Sequence, residues 1–188
     1  MKSNRLVLFV PFTLAVLGIA GCGNNTSSKT EAEVYLSQSI TQGPADVDMS
    51  LAVDPFISNL TISSHAKAAT GNGATLSQQD DVILTDWVVT PSRSDGGTVA
   101  SPVWRNYYQV YVPAGGTASL QNYRIFPAEY FRQAPLVQLF PENGNVDKET
   151  GNRNIRQRLH IAIYGKTVAG KGIVLEFDVN LNFFYVSY

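Results

Sequence analysis

The sequence predicts an all-β protein folded as a sandwich of two sheets. Three observations support this: apolar and polar residues alternate over long stretches, turn residues recur at short intervals, and no long stretch repeats its apolar residues with a helical period. The clearest alternation runs over residues 173–183, where the apolar residues are Ile173, Leu175, Phe177, Val179, Leu181 and Phe183. Successive side chains of a strand point to opposite faces, so this run predicts a strand with one buried face.

The preceding segment alternates in the same way and predicts a hairpin with this strand. Its apolar side is formed by Ile155, Leu159, Ile161 and Ile163, and its polar side by Arg156, Arg158 and His160. Between the two runs, residues 165–172 contain three glycines, which supply the backbone freedom that a hairpin loop needs. Pairing across this loop is expected to bring Arg158 and His160 opposite Glu176 and Asp178.

β-Branched and aromatic residues between turn signals predict further strands upstream, over residues 59–63, 82–90, 104–112, 118–126 and 136–140. The segments 110–112 and 123–126 flank a Gly-Gly turn and predict a second hairpin, and residues 127–132 predict one helical turn that crosses between the sheets. A single domain of about seven or eight such strands resembles immunoglobulin and fibronectin type III sandwiches in architecture, without the antibody-type cysteine pair. A small closed barrel is the alternative.

The first 22 residues carry a second resemblance. Lys2 and Arg5 form a basic start, residues 6–19 are mainly apolar, and Ile19-Ala20-Gly21-Cys22 ends the segment with small residues. This arrangement resembles the signal peptide and lipobox of bacterial lipoproteins, which implies cleavage before Cys22 and attachment of palmitate-type acyl chains to it. An uncleaved transmembrane helix is the alternative, but the apolar run is shorter than the roughly 18 to 20 residues that a membrane span needs.

The resemblance implies a protein anchored by lipid in the cell envelope. Gly23 follows the cysteine where the family's inner-membrane retention signal has Asp, so the outer membrane is expected if the host is Gram-negative. The expected organisation is a signal peptide over residues 1–21, a flexible lipidated tether over 22–46 and a β-sandwich domain over 47–188. The tether is predicted because residues 23–46 are rich in Asn, Ser, Thr, Gln and Gly; a capping-box pattern at Ser28 to Glu31 allows a short helix within it.

Composition narrows the functional classes. The only cysteine is the predicted lipid attachment site, so the mature domain has none for a disulfide, a thiolate nucleophile or zinc. Removing Lys2 and Arg5 with the signal changes the formal net charge from -1 to -3, and no dense basic run points to nucleic acid. No nucleophile or zinc-protease motif is present, so we predict no catalytic residue and no cofactor, and a binding or structural module rather than an enzyme.

Two loop segments resemble ligand sites. Five oxygen-bearing side chains lie close together in the sequence and form a calcium candidate: Glu142, Asn143, Asn145, Asp147 and Glu149. An EF-hand interpretation fails, because Lys148 replaces the required Gly and Asn154 replaces the final Glu, and Asn and Asp are also ordinary turn residues. The run from Gly165 to Gly172 nearly matches a phosphate-binding loop, but it lacks the final hydroxyl and precedes a strand, so a hairpin turn is the expected structure.

The segment 104–112 predicts a recognition surface. If Trp104, Tyr108, Val110 and Val112 pack inward, then Arg105, Tyr107 and Tyr111 lie on the surface. Tyr and Arg are common at protein interfaces and on sugar-stacking platforms. We therefore expect a membrane-anchored envelope lipoprotein that displays a binding or structural module to an envelope protein or a glycan; the alternative is a carbohydrate-binding or carbohydrate-active envelope protein.

Overall fold

The computed structural model describes residues 31–42, 45–67 and 75–186, and in this part of the chain eight strands form two sheets. The strands are β1 (Val34–Gln42), β2 (Asp46–Asp48), β3 (Phe56–Ala66), β4 (Val82–Arg93), β5 (Trp104–Val112), β6 (Thr117–Arg124), β7 (Asn154–Thr167) and β8 (Gly172–Phe184). Short 3₁₀ turns connect them at Met49–Leu51, Gln78–Asp80, Ala128–Arg132, Leu136–Leu139 and Pro141–Asn143. Among the described residues, no helix has the length and apolar character needed to cross a membrane.

The two sheets pack face to face over a common apolar core. One has the strand order β1-β3-β6 and the other β2-β8-β7-β4-β5, and neighbouring strands are antiparallel except for the parallel pair β2 and β8. The largest fully buried side chains include Trp87, Phe126, Phe131 and Phe183. This confirms the predicted all-β sandwich of about eight strands, and two separate sheets replace the closed-barrel alternative.

The hairpin of β7 and β8 confirms the predicted faces. The six alternating apolar residues of β8 are buried, as are Ile155, Leu159, Ile161 and Ile163 of β7. His160 pairs with Asp178 as expected, whereas Arg158 lies opposite Asn180 and Glu176 lies opposite Ala162. The expectation that Arg158 faces an acid is therefore wrong, because the register set by the four-residue turn places Arg158 opposite Asn180, two residues along β8 from Asp178.

The predicted second hairpin is wrong. β5 pairs with β4 and β6 pairs with β3, so the chain between β5 and β6 crosses from one sheet to the other. The turn itself is tight, since the Gly116 N–H donates to the Pro113 carbonyl over 2.9 Å and Gly115 has a φ of 71°. The Gly116 carbonyl then accepts the N–H of Ser64 over 2.9 Å, which brings the chain onto β3 at once.

The predicted strand over residues 136–140 is a 3₁₀ turn at Leu136–Leu139. Leu136, Leu139 and Phe140 are all buried, and a helical turn brings positions three and four residues apart to the same side. Prolines at 135 and 141 bound the segment and do not suit a central strand. The helical turn predicted for residues 127–132 is present as the 3₁₀ turn Ala128–Arg132.

The predicted tether of residues 22–46 and its short helix are wrong for residues 34–42. These residues form β1, which pairs with β3 along its length. Ala32, Val34 and Leu36 are at most 2% exposed and alternate with polar or partly exposed neighbours, so a short period-2 pattern lies within the polar composition. The signal peptide, Cys22 and the tether up to residue 30 lie outside the described residues.

A β-bulge divides β4. Leu84 pairs with Gly165 and Asp86 with Tyr164, so Thr85 has no partner of its own on β7. The bulge changes which positions face the core, from Leu84 before it to Trp87 after it. It also brings the two backbones close together: a Cβ on Gly165 would collide with the Ile83 carbonyl oxygen and lie 2.7 Å from the Leu84 Cα.

Candidate functional site

The solvent-facing side of the five-stranded sheet, called the outer face here, carries the predicted recognition residues. Arg105, Tyr107 and Tyr111 all point from β5 to this face, and Tyr107 is 75% exposed. β5 is the edge strand of its sheet, so its side chains border open solvent on one side. The predicted surface position of these three side chains is correct.

Tyr108 differs from the prediction, because it is 48% exposed instead of buried. The pairing runs from Leu84–Val110 to Asp86–Tyr107, so two residues of β5 lie opposite Thr85. This bulge lies in the edge strand, where the Tyr108 ring contacts Tyr123 of β6 at 6.0 Å but keeps about half of its surface exposed. Its backbone carbonyl accepts the indole N–H of Trp87 over 2.9 Å, which ties the bulge to the core.

Strand register places two further residues in the same row as Tyr107, and sequence reasoning missed both of them. Asp86 of β4 pairs with Tyr107 on one side and with Tyr164 of β7 on the other, so the three form a row across the outer face. At about 4.8 Å between strands, the two tyrosine backbones lie about 10 Å apart. Tyr164 is 46% exposed and could have been found by counting in twos from His160. Asp86 could not, because the bulge shifts the alternation of β4.

Tyr111 is held differently from the other tyrosines. Its hydroxyl donates a short hydrogen bond to Asp81, which also accepts the Ala114 N–H over 2.8 Å. The hydrogen bond from Tyr111 and that from Ala114 hold the pKa of Asp81 below its usual value, and the same bond raises the pKa of Tyr111. The phenol group of Tyr111 is therefore engaged, and its ring is fixed at the margin of the face.

The other end of the outer face is cationic. Arg156 and Arg158 project from β7, both are exposed, and neither guanidinium has a hydrogen bond or ion pair with another described residue. Arg156 lines a shallow cleft of about 280 Å³ together with Asp46, Ser94, Asn180 and Asn182. Within it Asn182 donates to Asp46 over 2.9 Å. We call Tyr107, Asp86 and Tyr164 the tyrosine end of the face, and Arg156, Arg158 and this cleft the arginine end.

The calcium candidate does not form a cation site. Asp147 and Glu149 bind the guanidinium of Arg93, with contacts of 2.6 and 3.2 Å, and Asp95 binds its third side at 2.7 Å. A fixed cation therefore occupies the space that calcium would need. The Arg93, Asp95 and Asp147 side chains are at most 8% exposed. We call Arg93, Asp95, Asp147 and Glu149 the Arg93 cluster.

The remaining members of the calcium candidate lie apart from this cluster. Glu142 binds Arg132 over 2.6 Å, and the Asn143 side chain donates to the Val137 carbonyl over 3.0 Å. The side-chain oxygen of Asn145 is buried without a hydrogen-bond partner. Within the described ranges, no three His, Cys, Asp or Glu side chains are placed to hold a metal ion.

The Arg93 cluster depends on ionised acids. Burial raises the pKa of Asp147, but hydrogen bonds from Thr150 and Arg93 outweigh it and hold that pKa below its usual value. Burial opposes the same outcome at Asp95, where hydrogen bonds from Arg93 and two backbone N–H groups lower the pKa. The cluster ties the loop after β4 to the loop before β7, and it has a structural role.

The two histidines have ordinary partners. His160 Nδ1 lies 2.9 Å from Asp178 and its Nε2 3.9 Å from Glu176, as the predicted pairing role requires. His65 is in β3; its ring stacks on Tyr35 at 5.0 Å and its Nε2 lies 2.8 Å from the Ser37 hydroxyl. This Ser-His pair lies on an exposed sheet surface, and no described carboxylate orients the ring. The phosphate-loop-like segment forms the turn between β7 and β8, as expected.

Comparison with known proteins identifies no family. No family model matches the chain, and no curated protein matches it. A crystal structure of a protein from Archaeoglobus fulgidus is similar over 85% of this chain and 99% of its own, with 12% sequence identity and a TM-score of 0.38.

Proposed function

We propose that this protein is a lipid-anchored lipoprotein of a bacterial cell envelope that displays a β-sandwich binding module. The proposal combines the lipobox-like segment ending at Cys22 with the exposed outer face of the five-stranded sheet. The observation that carries the binding role is the row Tyr107, Asp86 and Tyr164, which exposes two aromatic rings on an open sheet face. Exposed aromatic side chains with polar neighbours are typical of recognition surfaces.

The short chain length between Cys22 and the sandwich limits how far the anchored domain could extend from the membrane. Within the described residues, which begin at 31, Ala32 is the first that is buried, and it follows Cys22 by ten residues. Ten residues span at most about 33–36 Å even when fully extended, so lipid on Cys22 would hold the sandwich close to the membrane surface. Confinement of this kind raises the effective concentration of the outer face for a partner in the same envelope layer. In a Gram-negative host, Gly23 favours the outer membrane as the location.

The anchor is tested by labelling cells with radioactive palmitate. We expect label on the wild-type protein, recovery of that protein in the membrane fraction, and loss of both in Cys22→Ser. Stable anchoring takes two or more acyl chains, and their expected attachment depends on Cys22, so loss of this cysteine should release the protein. Label that persists in Cys22→Ser, or an unlabelled wild-type protein in the soluble fraction, would show that the anchor proposal is wrong.

The binding role is tested by crosslinking in intact envelopes followed by purification of the protein. We expect a partner, either protein or glycan, that is recovered with the wild type and lost with the double variant Tyr107→Ser and Tyr164→Ser. Phe56→Ser is the matched control, because Phe56 is 41% exposed on β3 of the other sheet. Equal recovery with all three proteins would remove the outer face from the proposal.

A further inference from the structure

The outer face is long and continuous enough for an extended ligand. The distance along β7 from the row that contains Tyr164 to the row that contains Arg156 is eight residues, or about 27 Å at 3.4 Å per residue. The three rows in between pair Val88 with Ala162, Thr90 with His160 and Ser92 with Arg158. A ligand that contacts both ends must therefore be a chain of several units.

The chemistry of the face suits a chain rich in hydroxyl groups. Two of its three middle rows present hydroxyl, imidazole and amide groups, and the third, Val88 with Ala162, lies between the charged Arg105 and Glu176. At the tyrosine end, two exposed tyrosines whose backbones lie about 10 Å apart offer flat ring surfaces on which sugar rings can stack. Asp46, Asn180 and Asn182 in the cleft supply acceptors and donors for sugar hydroxyls.

Charge at the arginine end adds a requirement for anionic groups. Arg156 and Arg158 are two residues apart on the same side of β7, about 7 Å along the strand. Neither guanidinium is paired with a described acid, whereas the nearby Asp178 is engaged by His160. A free guanidinium on an exposed face is suited to bidentate binding of a carboxylate.

We infer that the outer face binds an extended carboxylated polysaccharide, with sugar rings on Tyr107 and Tyr164 and carboxylates on Arg156 and Arg158. This inference rests on the proposed binding role and names its ligand class. The polymer would lie along β7, and the lipid anchor would hold the protein against a polysaccharide layer at the membrane surface.

The test uses the full-length protein in detergent and measures affinity for polygalacturonate, alginate and hyaluronate. Fully methyl-esterified polygalacturonate is the matched uncharged probe. We expect binding to at least one acidic polymer and weaker binding to the ester. Arg158→Gln should weaken binding of the acidic polymer about 10-fold or more while leaving binding of the ester unchanged, because it removes a charge-assisted contact. Tyr164→Ala should weaken both.

Lys148→Gln is the control, since it removes one positive charge from the loop before β7 and should change neither affinity. Absence of binding to all three acidic polymers would overturn the inference, as would equal loss of affinity in Lys148→Gln and Arg158→Gln. Binding only to phosphatidylglycerol vesicles would also overturn it, and would assign the arginines to the membrane surface. If envelopes instead yield a protein partner that depends on Tyr107 and Tyr164, and no polymer binds, then the proposed ligand class is wrong and the binding role stands.

Discussion

Replacing Arg93 by Met tests the main electrostatic interaction inside the fold. The Arg93 side chain is 2% exposed, and its guanidinium binds Asp95, Asp147 and Glu149 at 2.7, 2.6 and 3.2 Å and the Val99 carbonyl at 3.2 Å. Met retains the volume of the stem but leaves buried carboxylates without a cation. Breaking a buried pair by removing one partner costs about 3–5 kcal/mol. For a domain of about 150 residues this lowers the melting temperature by roughly 6–20 °C.

The assay is denaturant unfolding at pH 7, with Lys171→Met as the control. Lys171 binds Glu33 over 2.8 Å, but both side chains are well exposed, so this variant should unfold almost as the wild type does. In Arg93→Met we expect a lower midpoint with an unchanged slope, which indicates lost stability and not a changed unfolded state. A loss below about 1 kcal/mol, or equal losses in the two variants, would refute the view that the Arg93 cluster stabilises the fold.

The same variant should change the response to acid. Asp95 and Asp147 have folded-state pKa values below their ordinary value of 3.8, so the stability they contribute is complete above that pH and is lost as the pH falls through the lower values. Without the guanidinium, burial dominates and raises the pKa of both acids, so protonation now favours the folded state. The stability difference between wild type and Arg93→Met should therefore narrow between pH 7 and pH 3. A difference that stays constant would contradict the proposed ionisation states.

Two further predictions concern packing. Gly165→Ala should lower the free energy of unfolding by about 1–3 kcal/mol, measured by thermal or denaturant unfolding, because the added Cβ collides with the bulged backbone of β4. Gly172→Ala is the control and should be nearly neutral, since a Cβ at Gly172 would have no atom within 4 Å. Equal effects of the two substitutions would show that the bulge can relax. Leu175→Asp should abolish cooperative unfolding, since Leu175 is 0% exposed, while Asn180→Asp on the opposite face should leave the melt unchanged. Equal melts for this second pair would contradict the assignment of the β8 faces.

Much of the outer face could be predicted from local alternation. The exposed positions of Tyr107 and Tyr111 follow from the apolar residues beside them, and the same count predicts Arg156 and Arg158 on the outer side of β7. The row that joins Tyr107 to Tyr164 could not be predicted, because it depends on which strands are neighbours and on a bulge that shifts β4 by one residue. Sequence patterns do not report which strand of a sheet lies beside which.

The calcium hypothesis failed for a related reason. A run of acids in a loop is consistent with a cation, and Asp147 and Glu149 do bind one, but it is the guanidinium of a residue 54 positions earlier. Arg93 has no feature in the sequence that marks it as buried. Only the approach of the two loops at one end of the sandwich desolvates these groups and makes their pairing necessary.

The amino-acid sequence alone determined the all-β class, the hairpin of β7 and β8 and the sides of these two strands that face the core, because these depend on the two-residue period and on turn residues close in the chain. The tertiary structure decided that β5 and β6 belong to different sheets, that the polar segment 34–42 becomes an edge strand, and that Arg93 binds the acidic side chains of a distant loop. These outcomes depend on contacts between residues far apart in the chain. Such contacts form where packing two sheets buries the most apolar surface and leaves the fewest polar groups unpaired.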